Sequence, residues 1–363
     1  MDNTPLRILL VTDAWEPQVN GVVRTLSRTV DECRAMGHEV EVIHPGLGFR
    51  TIPLPTYPDI KLALGAREDL EARFRAFEPE AIHISTEGTL GHVARRICLS
   101  WKLPFTTSYH TQFPEYVHAR FPFIPLAAGY AFMRRFHNAG NGIMVATETM
   151  RQGLVKRGFN NLVPWSRGVD TEQFRPDLRG IDGGVYKDLP KPVFAYVGRV
   201  AVEKNIEAFL KLDLPGSKVV VGPGPQLEEL KRKYKNVHFT GGKSGEELAR
   251  HFADADVFVF PSFTDTFGLV ILEAMACGTP VAAFVAPGPR DIIPGSNAGV
   301  VSDDLREACL QALELNREDA RAFAEKNSWR ACTEQFVANL KPQPRPERKR
   351  FWRRLRRLRR NKG

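Results

Sequence analysis

The chain has 363 residues, 43% of them hydrophobic and 26% charged, with a formal net charge of +9. That length exceeds one ordinary core and favours two domains, and the composition is that of a soluble globular protein rather than a disordered or fibrous one. The charge is local: residues 341–363 hold twelve Lys or Arg and one Glu, and subtracting that +11 from +9 leaves −2 on residues 1–340. Nucleic-acid binding by so neutral a body is not expected. Five cysteines, odd in number and without a CxxC pair, argue against a disulfide framework or a zinc site and for a reducing compartment.

In chain order, the opening run RILLVT (7–12) is too short for a signal peptide or a spanning helix. It reads as a buried strand. So do EVEVIHP (39–45), AIHIS (81–85), FTTSYH (105–110) and GIMVAT (142–147), with helical periodicity between them, as in VVRTLSRTVDECRAMG (22–37). The piece 174–192 is rich in Pro, Gly and charge and reads as a linker. A second series follows: VFAYVG (193–198), KVVVG (218–222), VHFTG (237–241), VFVFPS (257–262) and TPVAAF (279–284). Strands alternating with helices predict parallel sheets, here an α/β chain of two doubly wound Rossmann-like domains. The expected division is 1–173, a linker at 174–192, 193–340, and a basic tail at 341–363.

Ligands of such sheets sit beyond the carboxyl ends of the strands, where Asp13, Glu87, His110, Arg199, Gly222 and Asp265 all fall. The DAD at 254–256 precedes its strand, so it reads as a pair of helix-end charges rather than a metal-binding DxD. In SFTDTFGLVILEAMACG (262–278) a turn enters a helix at Phe267, Gly268 and Leu269, with Asp265 just before it and Glu273 within. A helix N-terminus suits a phosphate, and carboxylates on either side suit sugar hydroxyls. A dipole-stabilising acid beside a surface Glu explains the pair equally well. Arg199 and Lys204, in a loop entering a helix, could neutralise a diphosphate, or could be solvated loop charges. VGPGP (221–225) is a glycine turn containing Gly222, and QVNGVVRTL (18–26) sets Asn20 and Gly21 before a helix. His110 is the polar residue most expected near a sugar hydroxyl, its bland alternative being a satisfied core histidine.

Together, EPQVNGVVRTL, GRVAVEKN, VGPGP and PSFTDTFGLVILEAMACGTPVAA closely resemble the family 4 retaining glycosyltransferases, over roughly residues 5–335. The resemblance implies a GT-B fold, two Rossmann-like domains facing a central cleft, with the donor nucleotide on the C-terminal one. It implies that Asp265 and Glu273 bind the donor sugar and the ribose diol, Arg199 and Lys204 the diphosphate, Gly21 the phosphates, and His110 the sugar. Asp265 departs from the family's usual Glu. No metal or other cofactor is implied, and transfer on the front face of the donor is expected.

YHTQFPEYV and RGVDTEQF resemble the glycolipid-synthesising branch, so a membrane lipid such as diacylglycerol is the expected acceptor. A lipid-linked or polysaccharide intermediate with a GDP-mannose donor is the alternative, and a non-catalytic sugar-nucleotide-binding membrane partner the rival from another class. The tail RKRFWRRLRRLRR (348–360) spaces Phe351, Leu355 and Leu358 at helical intervals beside Trp352. It therefore reads as a basic amphipathic helix lying on an anionic membrane through residues 345–360. The segment 118–136 is a second candidate contact, or else interdomain core. These features point to a cytoplasmic enzyme, peripheral on the inner face of the membrane.

Overall fold

The computed structural model describes residues 4–18, 20–54, 57–110, 113–121, 123–263 and 267–360. The chain divides into two compact units, one of Met1–Ser166 with Cys332–Gly363, the other of Arg167–Ala331.

In the first unit β1 (Arg7–Val11) leads through α1 (Gly21–Ala35) to β2 (Glu39–Ile43) and a hairpin of β3 (Arg50–Leu54) and β4 (Tyr57–Leu64). Then come α2 (Arg67–Phe77), β5 (Ala81–Ile84), α3 (Thr89–Trp101) and β6 (Thr106–Tyr109). After these follow α4 (Phe113–Arg120), α5 (Leu126–His137), β7 (Gly142–Val145), α6 (Glu148–Lys156) and β8 (Leu162–Pro164). The sheet order is β2-β1-β5-β6-β7-β8, all parallel. Helices cover both faces of such a sheet, which is why β5, β6 and β7 are buried at every residue instead of alternating. Helix α1 forms because Asn20 caps it, its side chain accepting from Val22 N and Val23 N at 3.0 Å each, and because Val23, Leu26, Val30 and Cys33 make one buried stripe.

The second unit contains β9 (Val193–Val197), α7 (Ile206–Leu210), β10 (Ser217–Val221), α8 (Leu227–Lys233), β11 (Val237–Gly241) and α9 (Gly245–Ala253). It continues with β12 (Val257–Phe260), α10 (Leu269–Ala276), β13 (Val281–Ala283), α11 (Pro287–Ile292), β14 (Gly299–Val301), α12 (Leu305–Ala312) and α13 (Arg317–Lys326). The order β11-β10-β9-β12-β13-β14 reverses direction between β9 and β12. In the first unit the reversal falls between β1 and β5. Crevices at these reversals are where doubly wound sheets bind ligands.

Three expectations about domain limits change. The stretch 174–192 is no free linker: Phe174, Leu178 and Tyr186 are buried in the second unit. The two aspartates of the DAD hold that stretch down. Asp254 accepts from Gly180 N and Val185 N at 2.7 Å, and Asp256 accepts from Val193 N and Arg179 at 2.7 Å. Second, α14 (Trp329–Asn339) carries the chain back to the first unit, so residues 332–340 do not belong with the second.

Third, the tail is not a separate surface segment. Helix α15 (Arg345–Arg360) lays its apolar face on the first unit's core, where Trp352 is only 2% exposed. Trp101 meets the Trp352 and Phe351 rings with centroids 6.2 and 6.4 Å apart, and Leu355 packs beside them. The buried Glu80 anchors the start of the helix: its carboxylate pairs with Arg348 at 3.1 Å and its carbonyl accepts from Gln343 N. Expectation and structure differ because an amphipathic pattern marks a face that must be covered without saying by what. The side chain of Leu358 lies outside those described. Arg350, Arg353 and Arg354 remain exposed.

Candidate functional site

At the reversal point of the second sheet, β9 ends on Gly198 and Arg199. The loops after β9 and β10 are zipped together, with Gly198 N donating to Val221 O at 2.9 Å and Val200 N to Pro223 O at 2.8 Å. The zipper sets the requirement for glycine at 222: a Cβ there would lie 1.9 Å from the Gly198 carbonyl oxygen, at φ +143°. The sequence places Gly222 in a glycine turn at the ligand end of its strand, and what approaches its backbone is this neighbouring loop. Gly222→Ala should therefore cost about 1–3 kcal/mol as an overpacked turn, lowering the thermal midpoint. Gly21, by contrast, has nothing within 4 Å of where a Cβ would sit, so Gly21→Ala should melt with the wild type. Equal melting of both variants, followed by circular dichroism, would overturn that reading.

The zipped loops leave Arg199 exposed, its guanidinium without a partner among the described residues. Its carbonyl accepts from the Tyr196 hydroxyl at 2.9 Å, which fixes the backbone beneath it. A short turn then brings in the half-buried Lys204. Asn205, at φ 53°, donates its side-chain amide to Pro261 O at 3.1 Å and so ties this loop to the one following β12. The loop that carries Arg199 and Lys204 is thus tied to the one after β12, at the reversal point of the sheet.

From the loop after β12, α10 departs. Gly268 precedes it at φ +87°, with the Phe260 ring 3.1 Å from a would-be Cβ, a geometry that favours glycine whatever else approaches. Phe267 is buried and Leu269 half-buried. Glu273 lies inside the helix at 3% exposure, the one charged residue of an otherwise apolar element. It adds to the burial that pushes the Cys277 thiol upward. A carboxylate retained in such a helix is costly unless it is paired and hydrogen-bonded. Asp265 lies outside the described residues.

The first unit has candidate residues of its own beyond its strand ends. Asn20 uses its side-chain oxygen to cap α1, because helix N–H groups need an acceptor. His110 follows β6, half-buried, with Trp165 5.8 Å away edge-on. Asp13, following β1, is buried and turned to α3. It accepts from Leu90 N at 2.9 Å, Gly91 N at 3.3 Å and the Thr86 and Thr89 hydroxyls at 3.0 and 3.3 Å. Burial raises its pKa, and these four bonds oppose the rise. Asp13 thereby fixes the loop that carries Glu87. Glu87 accepts from the fully buried His137 at 2.8 Å. Strand-end position pointed to Glu87 in the sequence, but nothing there pointed to His137, fifty residues on.

Comparison with known proteins gives this arrangement its class. The solved structure of Anabaena HepE in complex with UDP matches with a TM-score of 0.68 at 15% identity, covering 91% of this chain and 98% of that one. The glycosyltransferase WaaG matches at 0.62 and 18%, covering 91% and 98%. The fold is that of the GT-B glycosyltransferases. Residues 19–173 match the Glycosyltransferase Family 4 description and residues 191–315 that of Glycosyl transferases group 1. The sulfoquinovosyl transferase SQD2 of Arabidopsis thaliana is 32% identical, over 91% of this chain and 72% of its own length. A GDP-mannose-dependent alpha-mannosyltransferase of Mycobacterium tuberculosis is 30% identical over 82% and 83%. An alpha-monoglucosyldiacylglycerol synthase of Streptococcus pneumoniae is 28% identical over 85% and 78%. The chain belongs to glycosyltransferase family 4, and it is a glycosyltransferase.

Proposed function

We propose that the protein transfers a hexose or uronic acid, with retention and without a metal, from a nucleotide-diphosphate sugar to a membrane lipid. Diacylglycerol is the favoured acceptor and UDP the favoured nucleotide. The observation that carries the donor half is the bond from Asn205, which follows Lys204, to Pro261 in the loop between β12 and α10, the helix that holds Glu273. In this reading Arg199 and Lys204 hold the diphosphate and Glu273 the ribose diol. Asp265 takes the donor sugar's hydroxyls and His110 lies beside the sugar. The Gly268–Leu269 helix start receives the phosphates, and Gly21 is a further phosphate contact.

The lipid half is supported by the names of relatives that span most of the chain, one of which makes a glucosyldiacylglycerol. It is supported as well by exposed phenylalanines at α4 and α5, namely Phe121, Phe123 and Phe132, with Phe123 80% exposed. Among the described residues no helix is long and apolar enough to cross a membrane. Attachment would then be peripheral, at the inner face, with the outward arginines of α15 adding attraction to anionic lipid. A GDP-mannose donor is the second reading, favoured by the mycobacterial relative.

Incubation with diacylglycerol in anionic liposomes and a panel of UDP- and GDP-sugars, read by lipid mass spectrometry, tests the proposal. One glycolipid from a UDP-sugar is expected. A product from GDP-mannose alone would select the second reading, and donor hydrolysis without lipid product would overturn the lipid acceptor.

A further inference from the structure

The reversal point of the first sheet lies between β1 and β5, and the residues just past those two strands are Asp13 and Glu87. Asp13 is spent on α3. Glu87 is not: its side chain is 21% exposed, one oxygen takes the 2.8 Å bond from His137 Nε2, and the other has no partner among the described residues. Behind it, the His137 Nδ1 lies 2.9 Å from the Thr107 hydroxyl. A carboxylate only accepts, so Nε2 carries the proton to Glu87, and Nδ1 shares the second bond with the Thr107 hydroxyl.

The neighbouring histidine supplies a contrast. Alternation along β6 turns Thr106 and Ser108 to one face and Thr107 to the other. On the first face His83 is closed off, bonded to Thr106 and Ser108 at 2.8 and 2.7 Å, and burial pushes its pKa down to about 3. His83 only fills the core. The Thr107–His137 chain ends instead on a carboxylate that faces solvent at a ligand crevice. Beside it, Ser85 closes β5 with a buried hydroxyl that has no hydrogen-bond partner among the described residues.

We propose that Glu87 is an acceptor-binding residue: its free oxygen accepts from a hydroxyl of the alcohol that receives the sugar, and His137 is the positioning residue that aims it. The ligand class is a hydroxyl-bearing head group, glycerol-like in the lipid case. This rests on the proposed function only in placing the donor on the second unit, which leaves the first sheet's crevice to the acceptor.

The full chain and its E87Q variant are assayed with the donor that serves best, against diacylglycerol liposomes and against free glycerol. Gln keeps an oxygen for His137 but turns the free atom from acceptor to donor. The acceptor KM should therefore rise about tenfold or more, while the donor KM stays put. H137Q should shift the acceptor KM in the same direction, and E87Q/H137Q should shift it no further than E87Q alone, as expected of residues acting as one unit. Thermal melts identify any variant that has lost its fold. Glycerol carries the hydroxyls without the lipid. An enzyme that glycosylates glycerol and not diacylglycerol loses the lipid reading and keeps this one. Equal behaviour of wild type and E87Q toward both acceptors overturns this one, whatever the lipid result.

Discussion

Arg199→Ala is expected to slow sugar transfer by about a hundredfold to a thousandfold while leaving the melting temperature where it was. The rate effect follows from where charge develops. As the glycosidic bond breaks, negative charge collects on the departing diphosphate, and a fixed cation beside it stabilises the transition state more than the ground state. Removing one such donor typically costs that factor. The stability half follows from the surroundings: the side chain is exposed and makes no contact among the described residues, so its loss breaks nothing. What holds the position is backbone, through the Tyr196 hydroxyl on the Arg199 carbonyl and the zipper to the 222–223 turn. Arg199→Lys keeps the charge and loses the planar fork, and should fall between the two. Steady-state rates at saturating donor decide it. A wild-type rate in Arg199→Ala would mean that the diphosphate is neutralised elsewhere and that the second sheet's crevice has been misassigned.

The alternation of apolar runs with helical patterns made both parallel sheets legible, because strands buried on two faces must be apolar at nearly every residue. The hairpin β3–β4 and the short edge strands β8 and β14 were not, since the hairpin mixes polarity and strands of three residues are too short to show a period. Loop and helix-start positions were legible where the local sequence sets their geometry, as at the Arg199 loop and the start of α10. The Glu87–His137 pair was not, because it joins the end of β5 to the last turn of α5 and exists only once the sheet has formed. Gly222 and Asn20 carry structural roles that their motifs did not disclose, closing the loop against Gly198 and capping α1.

Trp352→Ala should destabilise the first unit by about 3–5 kcal/mol, a fall in its melting temperature on the order of 10 °C for a unit of this size. Deleting residues 341–363 should do at least as much. The indole is 2% exposed within the same cluster as Phe74, Phe105 and Phe136, and its loss leaves a cavity beside Trp101 that rigid neighbours close only in part. Deletion would also take the Arg348 partner from Glu80, buried at 6% exposure and still accepting from Arg7 N, and removing one partner of a buried charge is destabilising. The outward arginines should behave oppositely. Arg353→Ala with Arg354→Ala should melt like wild type but bind anionic liposomes more weakly, by up to about 1 kcal/mol per residue. Calorimetry beside liposome co-sedimentation separates the two faces of one helix. If Trp352→Ala melts as the wild type does and only lipid binding falls, then the apolar face belongs to the bilayer and the docked helix is not the state in solution.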